Sequence, residues 1–563
     1  MDSSPRVKYF LLLPLAVFAA AALAKLGMPL LEWDSVSLEA AKAWASGSLH
    51  PWLFDHPPLY PFYLVLPFRF FGASPETARI FNIFPVLAAA CLVYLTAQRL
   101  SGRLPGVIAA SLYLVNPVTI QGLQSLDSSD TTLLPLCFAL IAYVLSRSGD
   151  EPRRRGFVLS LLFALALWAK VTSSLALIAG SVLYLLAFRE RGDKALRSAL
   201  FYGVFGGLAL FIVSWSAVSL PLWGSESWAA VLVTPFRHLR PALPSSGGLV
   251  LKWGLDLARI AFWFSPFLLY LSFAGIRNEF KLKAPSGAAR LLAFLCFFYF
   301  AGHIFIGGSN YGYPRYHAAI SPLLHVFAGL AAAGAAGWLT AARSWKLIVP
   351  VCLFSVLAVV YADPELLINL ELKRLFFFKD YPGIVTRVLA PLLALAALPF
   401  AAGAAYGKLS GNKGAPAAAA AAALLGLCAA LAVKQGLAGY STAYQYGASG
   451  KDSVLELVSG KLSGGETILA TPEFLYDLRS QNVAGPRWSA WRSESDIYGV
   501  IDAQEPAFII AGWTTHTQAQ LNYMLGEGKI RDLLEKKYAL FKTGTYFVWE
   551  NKKAVYSGKG DKI

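Results

Sequence analysis

Apolar runs of about 17 to 25 residues recur along most of the chain, and each is long enough to cross a hydrocarbon core of about 30 Å as one helix. Runs of this kind start near residues 9, 77, 104, 129, 157, 172, 198, 259, 290, 318, 347, 384 and 416. They predict a polytopic α-helical membrane protein with about thirteen spanning helices. Composition agrees: of 563 residues, 56% are hydrophobic and only 15% charged, whereas soluble domains carry roughly a quarter charged residues. The first run has Arg6 and Lys8 before it and stays apolar to about Leu26. That is too long for the core of a cleaved signal peptide, so it reads as the first spanning helix.

A net charge of +16 invites a nucleic-acid reading, but the basic residues stand in short clusters between apolar runs. Placing alternate loops inside collects Arg99 and Arg103, Arg147 with Arg153 to Arg155, Arg189 to Arg197, Arg277 to Arg290, Arg343 with Lys346, and Lys408 with Lys413 on one side. That is the distribution the positive-inside rule requires, and nucleic acid is discounted as a partner. The opposite side receives residues 28–76, 221–258, 308–317, 363–383 and the C-terminal tail. The expected localisation is a bacterial inner or plasma membrane, with the N-terminus cytoplasmic. Cys91, Cys137, Cys296, Cys352 and Cys428 all lie in apolar runs, with neither a disulfide framework nor a metal-ligand spacing.

Near residue 435 the chain changes character. Residues 1–435 form the expected transmembrane module, with an interfacial first outer loop over 28–76, and 436–563 a small soluble extracytoplasmic α/β domain. Thr467 to Thr471 and Ala507 to Gly512 read as buried strands, and Tyr538 to Trp549 as two strands about Thr543-Gly544. Lys451 to Gly460 and Gln518 to Gly526 have helical periodicity.

Polar chemistry gathers on the predicted outer side. Asp34 follows the first span, and Ser35 to Ser48 has the periodicity of an amphipathic helix in the interface. Asp34 suits an N-cap of that helix and equally an active carboxylate. Further along the same loop, Asp55-His56-Pro57-Pro58-Leu59-Tyr60-Pro61 is stiffened by its prolines, which hold the residues before them extended. Asp127 and Asp130 lie between the third and fourth spans, Asp130 being also suited to cap the fourth. Lys170, between two apolar runs, and Arg315-Tyr316, among tyrosines, put cations on the same side. Snorkelling and interface anchoring account for such residues too. Together with His56 they are also the donors an anionic lipid head group needs.

These positions resemble the GT-C membrane glycosyltransferases, in the group of the protein O-mannosyltransferases and lipid A aminoarabinose transferases. The resemblance rests on Asp34, His56 to Pro61, Ala78 to Asn82, Asn116-Pro117, Asp127 with Asp130, Ala169-Lys170, and Pro314-Arg315-Tyr316 before Pro322. It covers about the first 340 residues well and the rest only in architecture. It implies a GT-C fold, a polyprenyl-phosphate-linked sugar as donor, an envelope lipid, glycan or protein as acceptor, and transfer at the outer face. Asp34 takes the role of catalytic base, and His56, Lys170 and Arg315 hold the donor phosphate. Asp55, Tyr60, Asp127, Asp130 and Tyr316 are expected to line the substrate site. Many members of the group carry Asp-Glu where this chain has Asp34-Ser35, so two adjacent acids are not available here. No metal or cofactor is required, although the acids could bind a divalent cation. A transporter or flippase of lipid-linked sugars is the competing class, and would need polar or broken helices near the bilayer midplane.

Overall fold

The computed structural model describes residues 11–24, 26–27, 30, 34–48, 58–124, 126, 129–147, 151–188, 194–223, 236, 266–281, 286–305, 314–341, 345–362, 390–411, 450–462, 466–471, 474, 476–478, 482–483, 494–512, 518–544 and 546–553, with isolated residues between 415 and 430. The helices are α1 (Leu12–Leu23), α2 (Asp34–Ala45), α3 (Leu59–Phe71), α4 (Pro75–Ser101), α5 (Arg103–Val115), α6 (Pro117–Gln124), α7 (Leu134–Ser146), α8 (Pro152–Ala169), α9 (Val171–Ala187) and α10 (Lys194–Trp223). They continue as α11 (Pro266–Lys281), α12 (Gly287–Phe305), α13 (Pro314–Ala318), α14 (Ser321–Ala341), α15 (Trp345–Ala362) and α16 (Ala390–Ser410). Each of the first twelve predicted runs contains a helix, and the thirteenth, near 416, lies largely outside the described residues. By length and apolarity alone, Pro75–Ser101 and Lys194–Pro221 are long enough to cross a membrane, and shorter apolar helices accompany them.

The breaks between helices have local causes. Gly102 turns α4 into α5 with φ +97°, a left-handed conformation that glycine adopts without a Cβ penalty. Asn116 ends α5 in extended backbone, and its side-chain oxygen accepts the Val118 N–H at 2.8 Å. With Pro117 in the first turn, this starts α6 anew instead of prolonging α5. The α7 run opens with a π-helical turn over Ser129–Leu133.

Helix packing sorts the ends into two sets. Along α8 and α10, Gly156 faces Tyr202, Gly203 faces Leu159, Gly207 faces Phe163, and Trp168 donates to Ser214. Residue numbers rise together, so the two helices run parallel and α9 returns between them. α5 and α14 run antiparallel, with Gly329 against Ala109 and His325 edge-on to Tyr113. α11 and α14 run parallel, since Ser272 donates to the Leu324 carbonyl at 2.9 Å and Gly275 lies on Phe327. Residues 101–103, 147, 151–155, 187–188, 194, 281 and 286–287 consequently share one end of the bundle. The other end collects residues 75, 115–124, 170 and 314–318.

The bundle turns its apolar side chains outward, as a lipid-facing surface requires. Leu13, Phe70, Phe71 and Leu186 are exposed, while Asn82, Asn116, Ser181 and Ser272 are buried.

Near the C-terminus the strands expected at 467, 507 and 538 are present as β1 (Thr467–Ala470), β3 (Phe508–Gly512), β4 (Tyr538–Thr543) and β5 (Tyr546–Asn551). With the short β2 (Asn482–Val483) they form one sheet of order β2-β1-β3-β5-β4. β1 pairs parallel with β2 and β3, whereas β5 runs antiparallel to β3 and β4. The expected helices are α17 (Lys451–Ser459) and α19 (Gln518–Leu525), joined by α18 (Glu494–Gln504) and α20 (Lys529–Lys537). β3 and β5 are buried throughout.

Candidate active site

Asp34 is the first residue of α2, and its side chain is only 3% exposed. A carboxylate in a first helical turn lies favourably with respect to the helix dipole. It does more than serve its own helix: Oδ1 accepts the Leu126 N–H at 2.8 Å. Leu126 lies just beyond α6, so the acid is tied to the segment that leads to the π-helical turn. Ser35, the residue after it, is fully buried.

A second set of bonds fixes α6. The Tyr60 hydroxyl donates to Asn82 Oδ1 at 3.0 Å, and Asn82 Nδ2 donates to the Leu123 carbonyl at 3.4 Å. Tyr60 and Asn82 are both fully buried. Tyr60, expected to line the substrate site, is placed as a strut linking α3, α4 and α6. Arg79, one turn before Asn82, is also buried and donates to the Leu26 carbonyl at 2.7 Å. Thr131 donates to the Gly122 carbonyl at 3.0 Å, closing the π-helical turn against α6. Asp130 sits inside this turn rather than ahead of a helix, so it does not take the capping position considered from sequence.

The cationic side approaches from two other elements. The short helix α13, which carries Arg315 and Tyr316, packs on α6 and on the π-helical turn. The Tyr316 backbone carbonyl accepts the Tyr299 hydroxyl of α12 at 2.5 Å. Lys170 interrupts the α8–α9 pair in extended backbone (φ −162°, ψ 116°). Its Nζ stands 5.8 Å from the Tyr316 ring centroid, within reach of a cation–π contact. Lys170 and Tyr316 are therefore neighbours, although 146 residues apart in sequence. Asp55, His56 and Asp127 lie outside the described residues, as do the side chains of Asp130 and Arg315.

An aromatic line borders the site. Trp44 of α2 stacks on Phe62 of α3 at 4.2 Å between centroids, and Phe62 lies 6.3 Å from Trp168, two residues before Lys170. Trp168 continues to Trp215 at 5.5 Å. Neither Trp168 nor the Leu126 amide was singled out from sequence. Trp168 adjoins the notable lysine, but a backbone amide carries no residue signature.

Behind α13, His303 and His317 are buried with ring centroids 5.3 Å apart, and His303 Nδ1 is 3.0 Å from the Tyr299 carbonyl. His325 lies further down α14 on the Ser321 carbonyl at 2.7 Å. His303 and His325 thus have local partners on their own helices.

Comparison with known proteins gives two kinds of likeness. A family model described as dolichyl-phosphate-mannose-protein mannosyltransferase matches residues 55–216, a shorter reach than the 340 residues expected. No curated protein sequence matches the chain. Among solved structures, ArnT from Cupriavidus metallidurans bound to undecaprenyl phosphate superposes with a TM-score of 0.60 at 16% identity, covering 99% of this chain and 100% of that one. Its apo form gives 0.58 at 17% identity with the same coverage. At such identity the likeness establishes the fold, and it includes the C-terminal part that the family model leaves out. In fold throughout, and in sequence over residues 55–216, the chain resembles the GT-C membrane glycosyltransferases of the protein O-mannosyltransferase and lipid A aminoarabinose transferase group.

Proposed function

We propose that the protein transfers a sugar from a polyprenyl-phosphate donor to an acceptor of the cell envelope, at the outer face of the membrane, with Asp34 as general base. The observation that carries this reading is the convergence of Asp34, α6, the π-helical turn, α13 and Lys170 at one end of the bundle. The opposite end carries Arg99, Arg103 and Arg153 to Arg155, and by the positive-inside rule is cytoplasmic. The membrane is then a bacterial inner or plasma membrane, with the C-terminal sheet outside.

The chemistry needs few groups. A polyprenyl phosphate leaves as a stabilised anion, so no general acid is called for, only cations that take up the developing charge. Lys170 supplies one, and His56 and Arg315 the others. Asp34 accepts the proton of the acceptor hydroxyl as the new glycosidic bond forms and the bond to phosphate breaks. A single displacement of this kind inverts the anomeric carbon. Asp127, Asp130 and Asp55 remain proposed contacts to the sugar or acceptor, and Asp127 or Asp130 could hold a divalent cation, which chelation during turnover would reveal.

A lipid or glycan acceptor is the first reading, following the resemblance of the outer-side residues to the lipid A aminoarabinose transferases. A protein acceptor is the second, favoured by the mannosyltransferase model over residues 55–216. Purified protein given a labelled polyprenyl-phosphate sugar and either envelope lipids or acceptor peptides separates them by the labelled product. A donor that crosses liposomes without consumption of any acceptor would instead favour a flippase.

A further inference from the structure

Two residues near the C-terminal sheet reach the first outer loop at both of its ends. Lys451 Nζ donates to the Leu30 carbonyl at 3.1 Å, four residues before Asp34. Tyr476 donates its hydroxyl to the Ala73 carbonyl at 2.6 Å, beyond α3. Between these anchors lie α2, α3 and Asp34 itself. We infer that Lys451 and Tyr476 form a clamp by which the C-terminal part of the chain holds the first outer loop in its working shape, making both of them positioning residues for Asp34. This rests on the proposed role of Asp34 as base.

The site has been built at some electrostatic cost. Lys451 is the first residue of α17 and only 4% exposed. A cation in a first helical turn opposes the helix dipole, and a buried ammonium loses its hydration. Asp477 offsets both, its Oδ2 lying 2.7 Å from Nζ, and the Phe474 ring lies 5.7 Å away. A lysine that served its own helix would sit at the other end of it. Here Nζ is directed to a carbonyl of the membrane-proximal loop.

The backbone fixes the origin of that reach. Gly450 has φ +94°, and a Cβ there would stand 2.8 Å from the Thr543 carbonyl. The start of α17 is thereby held on the β4–β5 turn. Tyr476 is the second jaw and is 8% exposed, within an apolar cluster that includes Leu30, Leu38, Tyr60 and Leu126. Leu38 is one turn along α2 from Asp34, and Leu126 is the residue whose amide Asp34 accepts. Movement of Tyr476 would therefore disturb both sides of that hydrogen bond.

The test compares full-length variants by steady-state kinetics with a polyprenyl-phosphate sugar and by deuterium exchange in residues 34–48. Tyr476→Phe and Lys451→Met are expected to lower kcat about tenfold with donor KM little changed, since a small misplacement of a reacting group is costly, and to raise exchange in α2. Lys451→Arg should recover most of the rate. Lys461→Met breaks the 2.6 Å pair with Glu550 of β5, a pair with no contact to the loop among the described residues, and should leave rate and exchange unchanged. Wild-type rate and exchange in both Tyr476→Phe and Lys451→Met would overturn the clamp, as would an equal loss in Lys461→Met. If wild-type protein transfers no sugar, the proposed reaction fails, while exchange in α2 still decides the clamp.

Discussion

Asp34 accepts the Leu126 N–H at 2.8 Å, although 92 residues separate them in sequence. This bond couples the acid on α2 to the segment leaving α6. The orientation of the carboxylate thus depends on how α6 is seated, and α6 is seated by Asn82 and Tyr60. Substitutions along this line should separate chemistry from support.

Asp34→Asn keeps an oxygen that can accept the Leu126 amide and removes the basic carboxylate. Transfer should fall by about a hundredfold or more, the usual contribution of a general base, with the melting temperature in detergent nearly unchanged. A wild-type rate in the purified variant would remove Asp34 from the role of base.

Lys170→Met should weaken donor binding and slow transfer, while Lys170→Arg keeps a cation near Tyr316 and should retain much of both. Titration with a polyprenyl phosphate lacking the sugar measures the phosphate contact alone. Equal affinity of Lys170→Met and wild type for that ligand would exclude Lys170 from the phosphate site.

Tyr60→Phe leaves Asn82 Oδ1 buried without the hydroxyl that now donates to it. The expected loss of stability is about 1 to 3 kcal/mol, read from thermal unfolding. Activity should suffer less than in Asp34→Asn, since the Tyr60 hydroxyl is engaged with Asn82 and through it supports α6.

Gly275→Ala places a methyl group into the Phe327 carbonyl, where α11 and α14 run side by side. Overpacking of this kind costs about 1 to 3 kcal/mol. Gly334→Ala on α14, where an added Cβ would meet nothing within 4 Å among the described residues, serves as the control in the same unfolding assay.

Near the C-terminus, Lys537 lies 2.6 Å from Glu505 and 2.9 Å from Asp502. The hydrogen bond and charge of Lys537 hold the Glu505 carboxyl below the usual glutamate range, and the same contacts raise the Lys537 ammonium. A depressed acid stabilises the fold above its unfolded pKa and loses that contribution as pH falls through its folded value. A raised ammonium contributes below its unfolded pKa of 10.5 and loses the contribution as pH rises beyond it. Stability should accordingly show a plateau around neutral pH and decline below about pH 4.5. Lys537→Ala should make the acid decline shallower, a small effect because the pair is exposed.

Much of this was legible in the chain itself. Apolar runs announced the helices because spanning length and burial in lipid are properties of a segment, read without knowing its neighbours. The strands at 467, 507 and 538 were legible because β-branched and aromatic runs between turn residues carry their own period. Asp34, Lys170 and Tyr316 stood out because charged and amphipathic groups beside apolar runs need a reason to be there. Tertiary structure decided which of these residues meet. Lys170 faces Tyr316, Asp34 takes the Leu126 amide, and Tyr60 becomes a strut, because helix packing closes gaps of tens to hundreds of residues. The Leu30 carbonyl that Lys451 finds could not have been chosen from sequence. Backbone groups are alike at every position, and only the fold selects which one is presented.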